Sequence, residues 1–334
     1  MKKLGFICVL FAVIIGIGWA IHLYFHAPKI SYTGVDGLVT EGNKLLNTGR
    51  YNEAKQLFLA ALKDEPVNIN ATWGLKKVDA KELNSLVKFK AAVDSLYLID
   101  PNDSHVNLFL GEYYLASGEL DKVYPYFKTA LTQNPKLAEV RYDLAILYDL
   151  QGNIDTAKSE ASLAIDIAPM PKYRNRLGHI YIKQKHLDSA TAEFEKTSEY
   201  PLSALDVAEI YWQRDRLDIA LIRQLQAIQW LNDTNVMSKP ENQDPWFFNI
   251  NAKQTIALSK LEEKQAYAYL NLSFTLYLLG NYEETDRYIQ EMRNLDVARQ
   301  NNINAIMATN LDALLLEKDS LTEQANMFKA KYMP

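Results

Sequence analysis

The sequence predicts an all-α solenoid of stacked helical pairs, preceded by one apolar membrane-spanning segment. Three observations carry this expectation: a 34-residue recurrence between Gly118 and Gly152, a composition suited to a long helical core, and an uncharged 22-residue run near the start. A fixed period of about 20–50 residues implies stacked units in which each repeat packs on its neighbours, so one elongated domain replaces several globules. Of 334 residues, 48% are hydrophobic, whereas 13 glycines and 11 prolines are too few for the many tight turns of an all-β chain.

The recurrence is legible position by position. It pairs Leu110 with Leu144, Gly111 with Ala145, Tyr114 with Tyr148, Gly118 with Gly152, Phe127 with Ala161, Ala130 with Ala164 and Pro135 with Pro169. In the first half of the unit Asn107, Leu110, Gly111 and Tyr114 follow the stripe that one helix face buries. Gly118 suits a turn that needs positive φ. Leu120, Val123, Phe127 and Ala130 then mark a second helix, closed by Pro135.

This alternation of small, aromatic and proline positions resembles the tetratricopeptide repeat, a helix-turn-helix unit of about 34 residues. The resemblance implies a right-handed α-solenoid and extends over seven candidate units: six in residues 35–232, the second degenerate, and a seventh in residues 265–298. The first carries Gly42, Ala54, Phe58, Ala61 and Pro66. The second has Lys77 where a small residue is expected, which puts its helix crossing in question, and the fifth has Lys185 in place of the turn glycine. Gly42, Gly111, Ala145, Gly178, Ala208 and Ser273 fall where the two helices of a unit approach most closely. Overpacking such a crossing costs about 1–3 kcal/mol.

Residues 233–264 break the period. The prolines and polar residues of Ser238–Gln254 predict a loop, with a helix starting at Asp244-Pro245 and running on into the long first helix of the seventh unit. Residues 299–334 hold two further helical patterns, and the mixture of Glu317, Lys318, Asp319 and Lys329 with apolar positions suits a cap that packs on one side and meets water on the other.

Residues 1–29 are expected to form a signal anchor. At about 1.5 Å per residue, Leu4 to Phe25 spans about 33 Å, enough for a hydrocarbon core of about 30 Å. The competing reading is a cleaved signal peptide, which has an apolar core of about 7–15 residues and a small-residue cleavage site. The bulky Leu23-Tyr24-Phe25 after a longer run argues against it. Lys2 and Lys3 precede the span and Lys29 alone follows closely, which favours the amino terminus inside and extracytoplasmic repeats, periplasmic in a bacterium.

Chemistry-bearing motifs are sparse. Cys8 lies in the anchor, so the remainder offers no thiolate ligand, disulfide or cysteine nucleophile. His105, His179 and His186 lack metal-ligand spacing, and no phosphate loop or nucleophile elbow occurs. The net charge of −5 disfavours nonspecific nucleic-acid binding. No catalytic residue, cofactor or metal is predicted, and the chain is read as a binding protein.

The family resemblance implies that the first helices of successive units line a concave groove holding a protein or peptide partner. Projected onto this sequence, the groove takes Phe109, Glu112, Tyr142, Asp143 and Lys172 from units three to five. Arg176, His179, Glu209 and Trp212 continue it. The family's clamp for a carboxylate tail is matched only by Lys172 and Arg176, because Leu108, Glu112 and Asp143 stand where lysine and asparagines belong. The expected role is a membrane-anchored scaffold in assembly of an envelope or secretion complex. The alternative is an accessory subunit of a membrane enzyme such as a polysaccharide synthase, and an unrecognised active site within 233–264 or the cap is the weakest reading.

Overall fold

The computed structural model describes residues 34–47, 50–81, 86–197, 199–239, 242, 246–251, 254–258, 260–295, 300–317 and 321–333. The predicted anchor therefore lies outside the described residues, as does the start of its linker to the repeats. Among the described residues no helix is long and apolar enough to cross a membrane.

Helices come in antiparallel pairs: α1 (Gly34–Asn47) with α2 (Tyr51–Asp64), α3 (Ile69–Lys81) with α4 (Leu86–Ile99), and α5 (Ser104–Ala116) with α6 (Val123–Gln133). They continue as α7 (Ala138–Leu150) with α8 (Ile154–Ile167), α9 (Pro171–Lys183) with α10 (Leu187–Glu195), and α11 (Pro201–Gln213) with α12 (Leu217–Asn232). After an insertion that holds a short helix, α13 (Thr234–Met237), α14 (Leu261–Leu278) pairs with α15 (Tyr282–Leu295), followed by α16 (Gln300–Glu317) and α17 (Thr322–Tyr332). Each helix packs on its predecessor through most of this series, which is the contact order of a solenoid.

The close crossings explain the small residues. A Cβ added to Gly111 would lie 2.2 Å from the ring of Phe127, and one added to Gly178 would lie 2.3 Å from Phe194. Unit four solves the same contact with two alanines, Ala145 and Ala161, both fully buried. In unit one the fully buried Phe58 ring serves two crossings, because a Cβ would meet it at 2.7 Å from Gly42 and at 2.4 Å from Gly74 of the next unit.

Gly74, one turn before Lys77, thus marks a close approach between units one and two. Lys77 is buried, with its Nζ 3.1 Å from Asp103 Oδ2. The same Asp103 oxygen accepts from Trp73 Nε1 at 3.0 Å, and its other oxygen caps α5 by accepting from the backbone N–H groups of His105 and Val106. Burial alone would raise the Asp103 carboxyl, but the Lys77 ammonium and these donors prevail and hold it down at about 2. The degenerate position is therefore a buried ion pair joining units two and three.

The intra-unit turns of units three to seven share one conformation whether or not glycine is present. Gly118, Gly152 and Gly280 have φ of 74°, 78° and 75°, while Lys185 and Asp215 take φ of 60° and 56° at the corresponding turns of units five and six. At each, the following residue's N–H bonds back five residues, as from Glu119 to Tyr114 and from His186 to Tyr181, at 2.9 Å in both. This satisfies carbonyls that the helix end leaves unpaired.

The insertion differs from expectation. The short helix α13 (Thr234–Met237), capped by the Asp233 carboxylate, is followed by an antiparallel hairpin of β1 (Trp246–Asn251) and β2 (Gln254–Leu258), in register Trp246↔Leu258 and Phe248↔Ile256. The helix expected from Asp244-Pro245 is a strand because Trp-Phe-Phe-Asn-Ile and Gln-Thr-Ile-Ala-Leu combine aromatic and β-branched residues. The helical part starts only at α14, where Glu263 accepts from the backbone N–H of Lys260 at 2.9 Å. The buried Lys264 ammonium donates to the Asn242 carbonyl at 2.9 Å, and the Asn242 amide donates to the carbonyls of Glu199 and Val236, pinning the insertion to unit six.

Candidate functional site

The odd-numbered helices α5, α7, α9 and α11 are the first helices of units three to six and carry the expected groove residues, and α14 is the first helix of unit seven. The structure divides those residues into three groups.

At the amino-terminal side, the groove is filled by the chain itself. Tyr51, at the start of α2, reaches across to units three and four: its ring lies 6.3 Å from that of Phe109 and its hydroxyl donates to Glu139 on α7. The Asn134 amide donates to Asn47 Oδ1 at 3.1 Å, tying the same turn of unit one to the start of unit four. Phe109 is consequently fully buried, with Phe89 at 6.0 Å and His105 at 6.4 Å, and is a core residue rather than a groove anchor. Glu112 is half-buried near Tyr51, and Asp143 is buried.

At the carboxyl-terminal side, Trp212 is also buried, with its indole N–H donating to Thr275 Oγ1 at 2.6 Å and its ring 5.2 Å from Phe274 of the next unit. It joins units six and seven. Glu209 Oε1 accepts from the Tyr267 hydroxyl at 3.0 Å and from the Asn310 amide of α16 at 2.7 Å. Withdrawal from water, with nearby Asp206 adding to it, pushes the Glu209 carboxyl up to about 7 despite these two donors. The expected cap is thus two different things: α17 continues the stack, while α16 lies against the inner helices α11 and α14.

Between these ends, units four and five bring Tyr142, Lys172 and Arg176 together, with His179 one turn further along α9. The Lys172 ammonium and the Arg176 guanidinium each lie 5.9 Å from the centre of the half-buried Tyr142 ring, within reach of cation–π attraction. Tyr142 in turn rests 5.2 Å from the buried Tyr173. Both cations are already matched from the preceding unit: Lys172 Nζ donates to Glu139 Oε1 at 3.2 Å, and Arg176 lies 3.6 Å from Asp149 Oδ2. His179 Nε2 stands 3.2 Å from Asp206 Oδ2, and Asn175 donates to the same oxygen at 2.5 Å. The His179 side chain keeps 39% of its surface in water. This pairing explains physically why the carboxylate clamp is incomplete here, since an incoming carboxylate would compete with Glu139 and Asp149 for the two cations.

Sequence counting missed Tyr51, Glu139, Asp149 and Asn310. Tyr51 and Asn310 come from outside the first helices, so no positional rule within the repeat points to them. Asp149, close to the end of α7, was recoverable as an acidic residue facing the next unit. Among the described residues no group of three or more His, Cys, Asp or Glu is placed to hold a metal ion.

Family models of the tetratricopeptide repeat match residues 114–175 and 171–198, which cover units three to five in part and include Tyr142, Lys172, Arg176 and His179. Among solved structures, the APC/C hetero-tetramer Cut9-Hcn1 shares the fold with a TM-score of 0.57 and 15% identity, over 92% of this chain and 57% of that one. The chain therefore spans little more than half the length of that relative. PilW, described as a widely conserved type IV pilus biogenesis factor, matches 67% of this chain and 93% of its own with a TM-score of 0.49 and 15% identity. A thermophilic tetratricopeptide-repeat protein of Thermus thermophilus, TTC0263, matches 59% of this chain and 100% of its own, with 24% identity and a TM-score of 0.37. No curated protein matches the chain. The repeat resemblance read from the sequence is supported by the family models across units three to five and by the helical-repeat fold over most of the chain.

Proposed function

We propose that this chain is a membrane-tethered scaffold that holds a segment of a partner protein on the inner face of units four and five, within an envelope or secretion assembly. The observation that carries the reading is the Tyr142–Lys172–Arg176–His179 patch. It combines a half-buried aromatic ring, two largely buried cations held in place by carboxylates and a partly exposed imidazole one turn on, on the stretch of inner helices between the regions that Tyr51 and α16 fill. Aromatic and arginine side chains held rigidly in this way lose little entropy on binding and dominate interface energies. Tetratricopeptide repeats generally serve as non-catalytic scaffolds, in keeping with this role. The tether rests on the uncharged run Leu4–Phe25.

Two measurements test the parts separately. After carbonate washing of membranes the full chain is expected in the pellet, and release to the supernatant would remove the tether. Affinity capture from detergent-solubilised membranes is expected to lose its specific partner with Tyr142→Ala plus His179→Ala and to keep it with Ile222→Ala on exposed α12. Equal loss or equal retention in both would place binding elsewhere.

A further inference from the structure

Units one and two differ from the units that follow at one edge. Val67 and Ile69, where α2 turns into α3, are 88% and 82% exposed, and Leu98 and Ile99, where α4 turns into α5, are 85% and 65% exposed. The two turns are neighbours, because Trp73, one turn into α3, donates its indole N–H to Asp103 just before α5 at 3.0 Å. Repeat packing does not call for these side chains. At the next turn of this kind, between α6 and α7, the corresponding positions are Thr132, Gln133 and Lys136, all polar and exposed, and Ala138, which is fully buried. Single exposed apolar residues are ordinary, but a group of large ones gathered on one edge marks a contact surface.

The chain enters the solenoid at this same edge. Because α1 and α2 are antiparallel, the start of α1 lies beside the end of α2, so Gly34 sits on the edge that carries Val67. Only residues 26–33 separate Gly34 from the uncharged run Leu4–Phe25, and a segment of that length reaches at most about 30 Å when fully extended. A bilayer holding that run stays within this distance of Gly34. So short a tether supplies an effective concentration on the order of millimolar, at which a weak apolar contact is enough.

Charge indicates what the edge meets. Asp64, Glu65 and Asp100, all exposed, flank the four apolar side chains, and Lys63 is the one cation in these two turns. Anionic headgroups would not attract such an edge, so its contact comes from apolar side chains entering the boundary between headgroups and acyl chains.

We infer that the edge formed by the α2–α3 and α4–α5 turns contacts lipid, with Val67, Ile69, Leu98 and Ile99 seated in the headgroup–acyl boundary of the bilayer that carries the anchor. The first two units then rest on the membrane and fix the orientation of the stack above it. The inference rests on the tether reading, which brings the bilayer within reach.

The test uses the full chain in phosphatidylcholine vesicles, with Cys8→Ser and a nitrobenzoxadiazole label on Leu98→Cys or, as the control, on Ile222→Cys, an apolar position also open to water on α12. Doxyl-labelled phosphatidylcholine is expected to quench the Leu98 label at least about threefold more than the Ile222 label, undiminished in high salt. Val67→Ser plus Ile69→Ser, which alters exposed side chains alone, is expected to lower the docking equilibrium read at Leu98 by about tenfold or more, with circular dichroism unchanged. Equal quenching of the two labels, or quenching at Leu98 unaffected by the double variant, would overturn the inference. A blue-shifted Leu98 label that lipid does not quench would overturn it as well, since protein would then cover the edge. Carbonate washing of the same vesicles reads the tether separately. A chain retained with its Leu98 label unquenched keeps the tether and loses the edge, whereas a chain released by carbonate after its Leu98 label was quenched loses the tether and keeps the edge.

Discussion

Gly111→Ala isolates the interaction that sets the helix crossing within a unit. The new methyl would lie 2.2 Å from Phe127 Cε1 and 2.4 Å from Cδ1, whereas carbon atoms in contact normally sit about 3.5–4.0 Å apart. Relief requires a ring shift of more than about 1 Å, and Phe127 is fully enclosed, so the strain falls at the upper end of the overpacking range, about 3 kcal/mol. Phe127→Ala alone leaves a cavity and costs about 3–5 kcal/mol. The double variant recreates the Ala145–Ala161 pair of unit four, in which both residues are fully buried, so the methyl introduced at position 111 occupies part of the emptied volume. Its cost is expected to fall short of the sum by about 2–3 kcal/mol, most of the strain being relieved. Urea unfolding followed by circular dichroism gives the total, and hydrogen exchange in α5 and α6 localises it, because repeat stability resides in units and their nearest interfaces. Additivity within about 0.5 kcal/mol would refute the argument that glycine and phenylalanine are matched across the crossing.

Lys185→Gly and Asp215→Gly should each stabilise the chain by about 1 kcal/mol in the same urea assay, since both residues hold positive φ and glycine removes the Cβ clash. Lys77→Met should cost about 3 kcal/mol by leaving the buried Asp103 without its ammonium, and adding Asp103→Asn should recover part of that loss. Glu209 titrates at about 7 in the folded chain against about 4.3 unfolded, so the native state holds the proton more tightly and stability falls as pH rises through this window. The fall should be at most about 3 kcal/mol in the wild type, and a Glu209→Gln chain should lack that component in its thermal melts between about pH 4.5 and 7.5.

The stacking was legible because it depends on residues that recur: Gly111 with Phe127 and Gly178 with Phe194 mark the same contact in different units, and Ala145 with Ala161 shows the pair changing size together. Lys185 and Asp215 hid their turns only because left-handed backbone does not require glycine when a following N–H closes the helix end. The groove was less legible. Position within a repeat fixes which way Phe109 and Trp212 point, but whether that direction meets water depends on Tyr51 and α16, which arrive from distant parts of the chain. The hairpin was missed because the prolines and polar residues before Trp246 read as punctuation, while strands as short as β1 and β2 give periodicity too little length to separate them from helix.

The scaffold reading is tested most directly by a photo-activatable residue placed at His179 on the inner face, and in a second chain at Ile222, which is 63% exposed on α12. Irradiation is carried out in intact cells on the whole chain. The account predicts a discrete cross-linked partner from His179, abolished when Tyr142→Ala is added in the same chain, and none from Ile222. A partner cross-linked from Ile222 alone would contradict it, by showing that this protein binds through its outer helices.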